Sequence, residues 1–237
     1  MKKFLFCICL LFSAFLPLAG QDNPGDAAKR EAGRLVWFVY TAMPEGVKNP
    51  VKVLGGKEIT EVKLDAYMAS EPVKIPDDGI IRIVRDIPAP EIGGKTKYAV
   101  LAEAKIPESV RKALIILAPM AKPEGDLLFQ AKVQDLASFK GGDRLFINLS
   151  DTNIGVKIGD TAVAVPAKQA NIYSSPKLGE PANMPIIYNY YHPEQKKWKL
   201  LTSSTVVIMP TRREICIFNN GRRLGKIEKH SILFPVM

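Results

Sequence analysis

The sequence predicts an all-β protein of the immunoglobulin-like β-sandwich class. Short runs rich in β-branched and aromatic residues, such as RLVWFVYTA, recur along the chain. Eighteen prolines and seventeen glycines fall mostly between these runs, where they mark turns. No apolar pattern with the 3.6-residue period of a helix extends over three turns.

The first twenty residues have the layout of a secretory signal peptide. Two lysines precede an apolar run at residues 4–18, and the small residues Ala19 and Gly20 close it. The run is short for a bilayer span, which takes about 20 residues. Gln21 stands where a lipoprotein would have a cysteine. We therefore expect cleavage after Gly20 and an exported protein of the periplasm or cell surface, with no transmembrane segment after processing.

The strand runs follow one another in pairs after a polar linker at residues 21–33. In VKVLGGKEITEVKL, two alternating runs flank Gly55-Gly56, a pattern typical of a β-hairpin. In PVKIPDDGIIRIVRDI, residues 76–79 have the residue chemistry of a type I turn. Further runs of strand length are YAVLAEAKI, ALIILAP, LLFQAKV and RLFINLS.

The glycines of NIGVKIGDTAVAV, residues 153–165, could either cradle a phosphate or form a turn. A phosphate loop needs a strand, the glycines and then a helix whose N-terminus faces the phosphate. Here apolar and polar residues alternate on both sides of Gly159-Asp160, so that a second strand follows. The sequence therefore predicts a hairpin with Gly first in its two-residue turn.

The pattern of Arg-Leu before an apolar strand occurs twice, at Arg34 and at Arg144. The two copies are about 110 residues apart, close to the roughly 100 residues of an immunoglobulin-like sandwich. We therefore expect two packed sandwich domains, without the Cys…Trp…Cys spacing of true immunoglobulin domains. The expected divisions are a signal peptide at 1–20, a linker at 21–33, a first domain at 34–120, a connecting segment at 121–142 and a second domain at 143–237.

Basic residues are concentrated near the C-terminus. Removal of the leader lowers the formal net charge from +9 to +7, and residues 186–237 carry nine Lys and Arg against three Glu. Such a basic end favours an acidic partner, for example an anionic glycan, lipid headgroup or wall polymer. The alternative is that exposed strands carry Lys and Arg for solubility and for protection of their edges.

The best candidate for a binding feature is MPIIYNYYHPEQKKWKLL, residues 184–201. A four-residue loop at residues 192–195 would have Pro193 at the second position of a type I turn. Symmetric pairing about this loop places two tyrosines opposite two lysines on the solvent side of the hairpin, Tyr190 opposite Lys197 and Tyr188 opposite Lys199.

That solvent side could stack on sugar rings and attract acidic groups, or it could be an ordinary exposed face with cross-strand Tyr–Lys pairs. The opposite side, with Ile187, Trp198 and Leu200, would pack inward. A register slip of one residue would exchange the two sides. The candidate binding residues, including two arginines of the same basic region, are Tyr188, Tyr190, Lys197, Lys199, Arg212 and Arg213.

Three stretches, IPESVRKALIILAP, SFKGGDRLFINLSDTNIGVKIGD and KWKLLTSSTVVIMPTRREICIFNN, resemble a set of uncharacterised exported β-sandwich proteins of diderm bacteria. The resemblance covers about half of the chain, mainly residues 106–219. It implies an envelope protein of immunoglobulin-like build, with an association of some relatives with surface filaments. It brings no known catalytic residues.

The sequence contains no constellation typical of catalysis or metal binding. The two histidines have no zinc-site spacing, and no Gly-x-Ser-x-Gly elbow occurs. Cys216, the only cysteine beyond the leader, lies in the apolar run EICIFNN, which is typical of a buried thiol. We therefore expect a protein that is not an enzyme and that has no metal or other cofactor.

The expected function is a structural or interaction role in the cell envelope, including assembly at the surface. The expected partner is an envelope protein or an anionic wall or surface polymer. The alternative is a carbohydrate-binding module that uses the Tyr/Lys strand face, and a hydrolase comes third. Export argues against a nucleic-acid partner.

Overall fold

The computed structural model describes residues 33–235, apart from residues 66, 88–96, 177–178 and 222–224. The expected signal peptide at 1–20 and most of the linker at 21–33 lie outside the described residues. The all-β prediction is confirmed, because the described part consists of sixteen strands, turns and one short 3-10 helix. It contains no helix long and apolar enough to cross a membrane.

The strands fall into two successive sets of eight. The first set is β1 (Leu35–Tyr40), β2 (Val51–Gly55), β3 (Glu58–Val62), β4 (Val73–Lys74), β5 (Ile80–Ile87), β6 (Lys97–Lys105), β7 (Lys112–Glu124) and β8 (Leu127–Asp135). The second set is β9 (Arg144–Asn148), β10 (Ile154–Ile158), β11 (Thr161–Val165), β12 (Ala170–Tyr173), β13 (Ala182–His192), β14 (Lys197–Ile208), β15 (Arg212–Asn220) and β16 (Ile227–Pro235).

Each set forms two four-stranded sheets with the same strand order. The first sheet pair consists of β4-β1-β7-β8 and β3-β2-β5-β6, and the second of β12-β9-β15-β16 and β11-β10-β13-β14. Adding eight to each strand number of the first pair reproduces the second pair. The two Arg-Leu copies of the sequence fall at β1 and β9, which are equivalent strands in this repeated topology.

The repeat extends to an irregularity at the same place in both pairs. Val53 lies opposite Ile83 in the first pair, and Val156 lies opposite Tyr188 in the second. A β-bulge follows Ile83 in the β5–β6 ladder and Tyr188 in the β13–β14 ladder. A bulge inserts one residue and changes which side chains face inward beyond it. The two sheet pairs can therefore be compared residue by residue.

Apolar side chains fill three spaces between the sheets. One buried cluster lies within the first sheet pair, a second within the second pair, and a third between β4-β1-β7-β8 and β12-β9-β15-β16, the two central sheets. In the third cluster, Trp37 of β1 meets Phe234 of β16 edge to face. The two sheet pairs therefore share an apolar interface.

Residues 121–142, which we expected to connect two domains, are largely strand. They contain the end of β7, the whole of β8 and the 3-10 helix Leu136–Ser138. β8 belongs to the first sheet pair because it pairs with β7. The strands of the first pair therefore continue to Asp135.

The two predicted glycine hairpin turns are confirmed, and the predicted turn at residues 76–79 is also formed, although it joins β4 and β5, which lie in different sheets. Gly56 and Gly159, in the turns after β2 and β10, have positive φ angles of 62° and 55°, which residues with a side chain rarely adopt. A backbone hydrogen bond of 2.9 Å from Gly79 to Pro76 closes the turn at residues 76–79. The strand β11 begins directly after Asp160, so that Gly159-Asp160 is a turn rather than a phosphate loop.

Candidate functional site

The predicted solvent face of the β13–β14 hairpin is wrong, because Tyr188 and Tyr190 lie in the core. Their side chains are only 2% and 5% exposed, and Tyr188 packs against the rings of Phe146 and Phe218. The turn occupies residues 193–196, one residue later than expected. Tyr190 therefore lies opposite Lys199 rather than opposite Lys197.

The residues expected to pack inward form an exposed aromatic and aliphatic patch instead. Trp198, Leu200 and Ile187 are 54%, 61% and 37% exposed. The Trp198 ring lies over Gly155 of β10, where a Cβ would be 3.4 Å from the ring. Tyr191 contacts this ring edge to face at 5.8 Å. We call these five residues the outer patch, because they lie on the face of their sheet that points away from the core.

The two predicted arginines differ in their exposure to solvent. Arg212 is exposed, whereas Arg213 is buried in the interface between the central sheets. Its Nη1 donates hydrogen bonds to the carbonyl groups of Leu136 and Phe139, at 2.8 and 2.9 Å. Its guanidinium also lies 4.8 Å from the Phe139 ring centroid, and burial lowers its pKa. Arg213 therefore has a structural role and does not join Arg212 in a surface site.

Within the described part of the chain, strand β14 is a free edge of its sheet, since β13 is the only strand that pairs with it there. From Leu200 to Ile208 it contains no charged residue and no proline. The equivalent strand β6 carries Glu103 and Lys105 and packs against β8. Natural edge strands are commonly protected by charges, prolines or cover, because their free backbone groups can pair with another chain. β14 carries neither charges nor prolines along these nine residues, and its one irregularity is the bulge at Leu201.

Among the described residues, β14 and β16 make few contacts and leave a gap between them, whereas the equivalent strands β6 and β8 pack together. In the first sheet pair, Ala102 and Ala104 of β6 face inward and are buried with Phe129 of β8. The equivalent positions in β14 hold Thr202 and Ser204, which the registers place opposite Tyr188 and Ile186. Ser204 is exposed and Thr202 is half-buried. Polar side chains at these inward positions leave the second core uncovered along this edge.

Lysines stand at the hairpin end of the same gap. Lys199 faces inward from β14 because its partner Tyr190 does. Lys229 faces inward from β16, opposite Phe218 of β15, and its ammonium lies 4.9 Å from the Tyr188 ring centroid. No ion pair is found for either lysine among the residues that the structure describes. We call this opening between β14 and β16, with its inward-facing side chains, the edge cleft.

Buried polar groups form the floor of the edge cleft. The Cys216 thiol lies 3.8 Å from the Tyr188 hydroxyl and 3.5 Å from the Ser231 hydroxyl, which accepts a 2.7 Å hydrogen bond from Lys229. Burial, with a contribution from the Glu214 carboxylate, raises the pKa of Cys216 to about 11. Burial likewise raises the pKa of Tyr188. Both groups are therefore protonated at neutral pH, and Cys216 is a buried thiol rather than a nucleophile.

The carboxylate nearest the floor already has a cationic partner. Glu214 of β15 forms an ion pair with Arg144 of β9, and both side chains are largely buried. This pair joins two neighbouring strands of one central sheet. In the first sheet pair, the equivalent Arg34 donates instead to the carbonyl groups of Val110, Ile106 and Pro107. The arginine of the repeated Arg-Leu pattern therefore fixes the start of each set of strands.

Two features were missed in the sequence. The bulge after Tyr188 changes the inward–outward alternation within β14. No residue type at this position indicates a bulge in the sequence. The open gap depends on Lys229, which is 30 residues from Lys199 in the sequence. An alignment of the two repeats would indicate the open gap, because the buried Ala99 of the first copy corresponds to Lys199 in the second.

Comparison with known proteins finds no family model that matches the chain. No curated protein matches it either. The described residues also contain no group of three or more His, Cys, Asp or Glu side chains suited to a metal ion.

Proposed function

We propose that the chain is an exported, non-enzymatic interaction protein of the cell envelope that binds an extended segment of a partner protein along β14. The proposal rests on the free, uncharged edge from Leu200 to Ile208. Strand addition gives affinity through main-chain hydrogen bonds, and side-chain pockets give specificity. The leader-like residues 1–20 support the envelope location.

We further propose that the two sheet pairs are sandwich domains related by duplication and immunoglobulin-like in size and layering. The shared strand order and the equivalent bulges support this proposal. Each pair also has one parallel ladder, β1–β7 or β9–β15. The sheets of immunoglobulin domains are antiparallel. The proposed likeness therefore concerns architecture and not strand pairing.

A displayed library of ten-residue segments, screened against residues 21–237, tests the proposed strand capture. Successive residues of a strand direct their N–H groups to opposite sides. One of the two single variants Ser203→Pro and Ser204→Pro therefore removes an outward N–H and keeps the β13–β14 ladder. That variant is identified by its unchanged melting temperature.

Segments that bind the wild type and fail to bind the fold-retaining proline variant would support strand capture. We expect these segments to share an alternating pattern of apolar residues. Recovery of no binding segment, or equal binding by both proteins, would contradict the proposal.

A second candidate function is carbohydrate binding at the outer patch. The support is the Trp198 ring, which packs over Gly155 while 54% of the residue stays exposed. Aromatic side chains with one exposed face can stack on the apolar face of a sugar ring. Trp37, the other tryptophan, is buried, so that a change in fluorescence on adding soluble glycans would report on Trp198. Loss of this change in Trp198→Ala would assign the site, and its absence in the wild type would exclude those glycans.

A further inference from the structure

We propose that the edge cleft selects an acidic strand, one whose inward side chains are carboxylates at the hairpin end of β14 and apolar at the other end. This inference rests on the proposed strand capture and specifies the chemistry of the partner segment. It follows from the two lysines of the cleft, which have no ionic partner among the described residues, and from the apolar residues further along the same opening.

The lysines occupy positions that close the core in the first sheet pair. Counting outward from the equivalent bulges, Lys199 corresponds to Ala99, which is buried. The β15–β16 and β7–β8 ladders likewise make Lys229 the counterpart of Val133, which packs against the first core. Solubility does not require a charge at inward positions. These lysines are therefore best explained by something that enters the opening.

Among the residues that the structure describes, the charges of the cleft are unbalanced. Glu214, the carboxylate at its floor, is paired with Arg144. Glu228 is next to Lys229 in the sequence, but successive side chains of a strand point to opposite faces, and Glu228 has an interaction of its own. An anionic side chain in the opening would meet two inward-facing lysines next to the low-dielectric core, where an ion pair is stronger than at an open surface.

The opposite end of the cleft presents aliphatic side chains, with Arg212 beside them. Val206 faces inward from β14 and is half-buried. Leu233 of β16 lies opposite Glu214 on the same inward side and is 57% exposed. A strand added to β14 would cover both side chains and remove apolar surface from water. The two ends of the cleft therefore differ: the inward-facing lysines lie near the hairpin, whereas aliphatic side chains lie near Ile208, next to Arg212.

The test uses the protein comprising residues 21–237 and three fluorescent ten-residue peptides. Two acidic peptides, TETETVTVTV and its exact reverse, place two glutamates and three valines on one face in the two possible chain directions. The third peptide replaces glutamate by glutamine in whichever acidic peptide binds more tightly. Fluorescence anisotropy gives the affinities at low salt and at about 0.5 M salt, where surface charges are screened.

We expect one acidic peptide to bind about tenfold more tightly than its glutamine counterpart at low salt. The difference should shrink at high salt and disappear in the double variant Lys199→Ala, Lys229→Val, which carries the residues of the first sheet pair. Lys157→Ala is the matched control, because Lys157 is exposed on the outer face of the same sheet. This control should keep the preference.

Equal affinity for the acidic and glutamine peptides would overturn the acidic selectivity and leave strand capture standing. No binding by any of the three, together with an empty library screen, would overturn both proposals. If the preference survives in the fold-retaining proline variant, or polygalacturonate binds as tightly as the peptide, the occupant is an anionic polymer and the inference is wrong. A wild-type dimer that the proline variant lacks, seen by sedimentation, would identify a second copy as the occupant and also overturn it.

Discussion

Trp37 of the first sheet pair and Phe234 of the second meet edge to face, with ring centroids 5.9 Å apart and ring planes at 87°. Around them, the interface between the central sheets consists of buried aliphatic and aromatic side chains. An interface of this composition resembles a domain core, and it couples the stability of the two sides. The two sheet pairs should therefore unfold together.

Phe234→Ala tests this coupling. Loss of a fully buried phenylalanine should lower the free energy of unfolding by about 3–5 kcal/mol, and denaturant unfolding should remain a single transition. Leu233→Ala is the matched control, because Leu233 is adjacent and exposed, and it should cost less than about 1 kcal/mol. Two separate transitions in the wild type would contradict the coupling.

Arg213→Met and Arg212→Met distinguish a structural arginine from a surface arginine. Removal of the Arg213 guanidinium leaves the carbonyl groups of Leu136 and Phe139 without their donor. This should lower the free energy of unfolding by about 2–4 kcal/mol. Arg212→Met should change it by less than about 0.5 kcal/mol. Similar effects for the two variants, measured by urea denaturation, would contradict the assigned roles.

The properties that the sequence predicts correctly are those encoded within a few residues. The strand runs and the Gly159 turn depend on local patterns, and the structure confirms them. The repeat at Arg34 and Arg144 was also visible, because its two copies share a short local pattern. These features can be predicted without knowing which strands pack against each other.

The face of the β13–β14 hairpin could not be predicted in the same way. Both alternations of its residues contain aromatic side chains, since Tyr188 and Tyr191 have opposite parity. Packing decides between them, because Tyr188 fills the space between Phe146 and Phe218. Because side chains distant in the sequence determine which face of the hairpin points inward, the local sequence does not indicate it.

The burial of the Cys216 thiol can be tested through the pH dependence of the free energy of unfolding. Its pKa is raised from a usual value of 9.0 to about 11, so that the folded protein holds this proton more tightly than the unfolded chain. Its contribution to stability is therefore complete below pH 9 and is lost as the pH rises through about 11. We expect the free energy of unfolding to fall across this window and to fall less in Cys216→Ala. Equal slopes, or rapid reaction of Cys216 with a thiol reagent at pH 8, would contradict its burial.

Gly155→Val tests how the outer patch is built. A side chain at this position would meet the Trp198 ring, since even a Cβ would be 3.4 Å from it. The substitution should move the ring towards solvent and increase quenching of tryptophan fluorescence by acrylamide. The strand should tolerate it, because valine favours β structure. Lys157→Ala, in the same strand, should leave quenching unchanged, and equal quenching in all three proteins would show that Trp198 does not rest on Gly155.

The double variant Lys199→Ala, Lys229→Val should be more stable than the wild type, although it should lose the acidic preference. It places small and apolar side chains where the first sheet pair has Ala99 and Val133, and it removes two charges from the margin of a core. Changes of this kind commonly add about 0.5–2 kcal/mol, which thermal or urea unfolding would detect. Residues that lower stability and have no ionic partner within the described chain are explained most simply by a ligand. A double variant less stable than the wild type would mean that the lysines support the fold through Tyr188 and Ser231, and would remove this argument for a binding cleft.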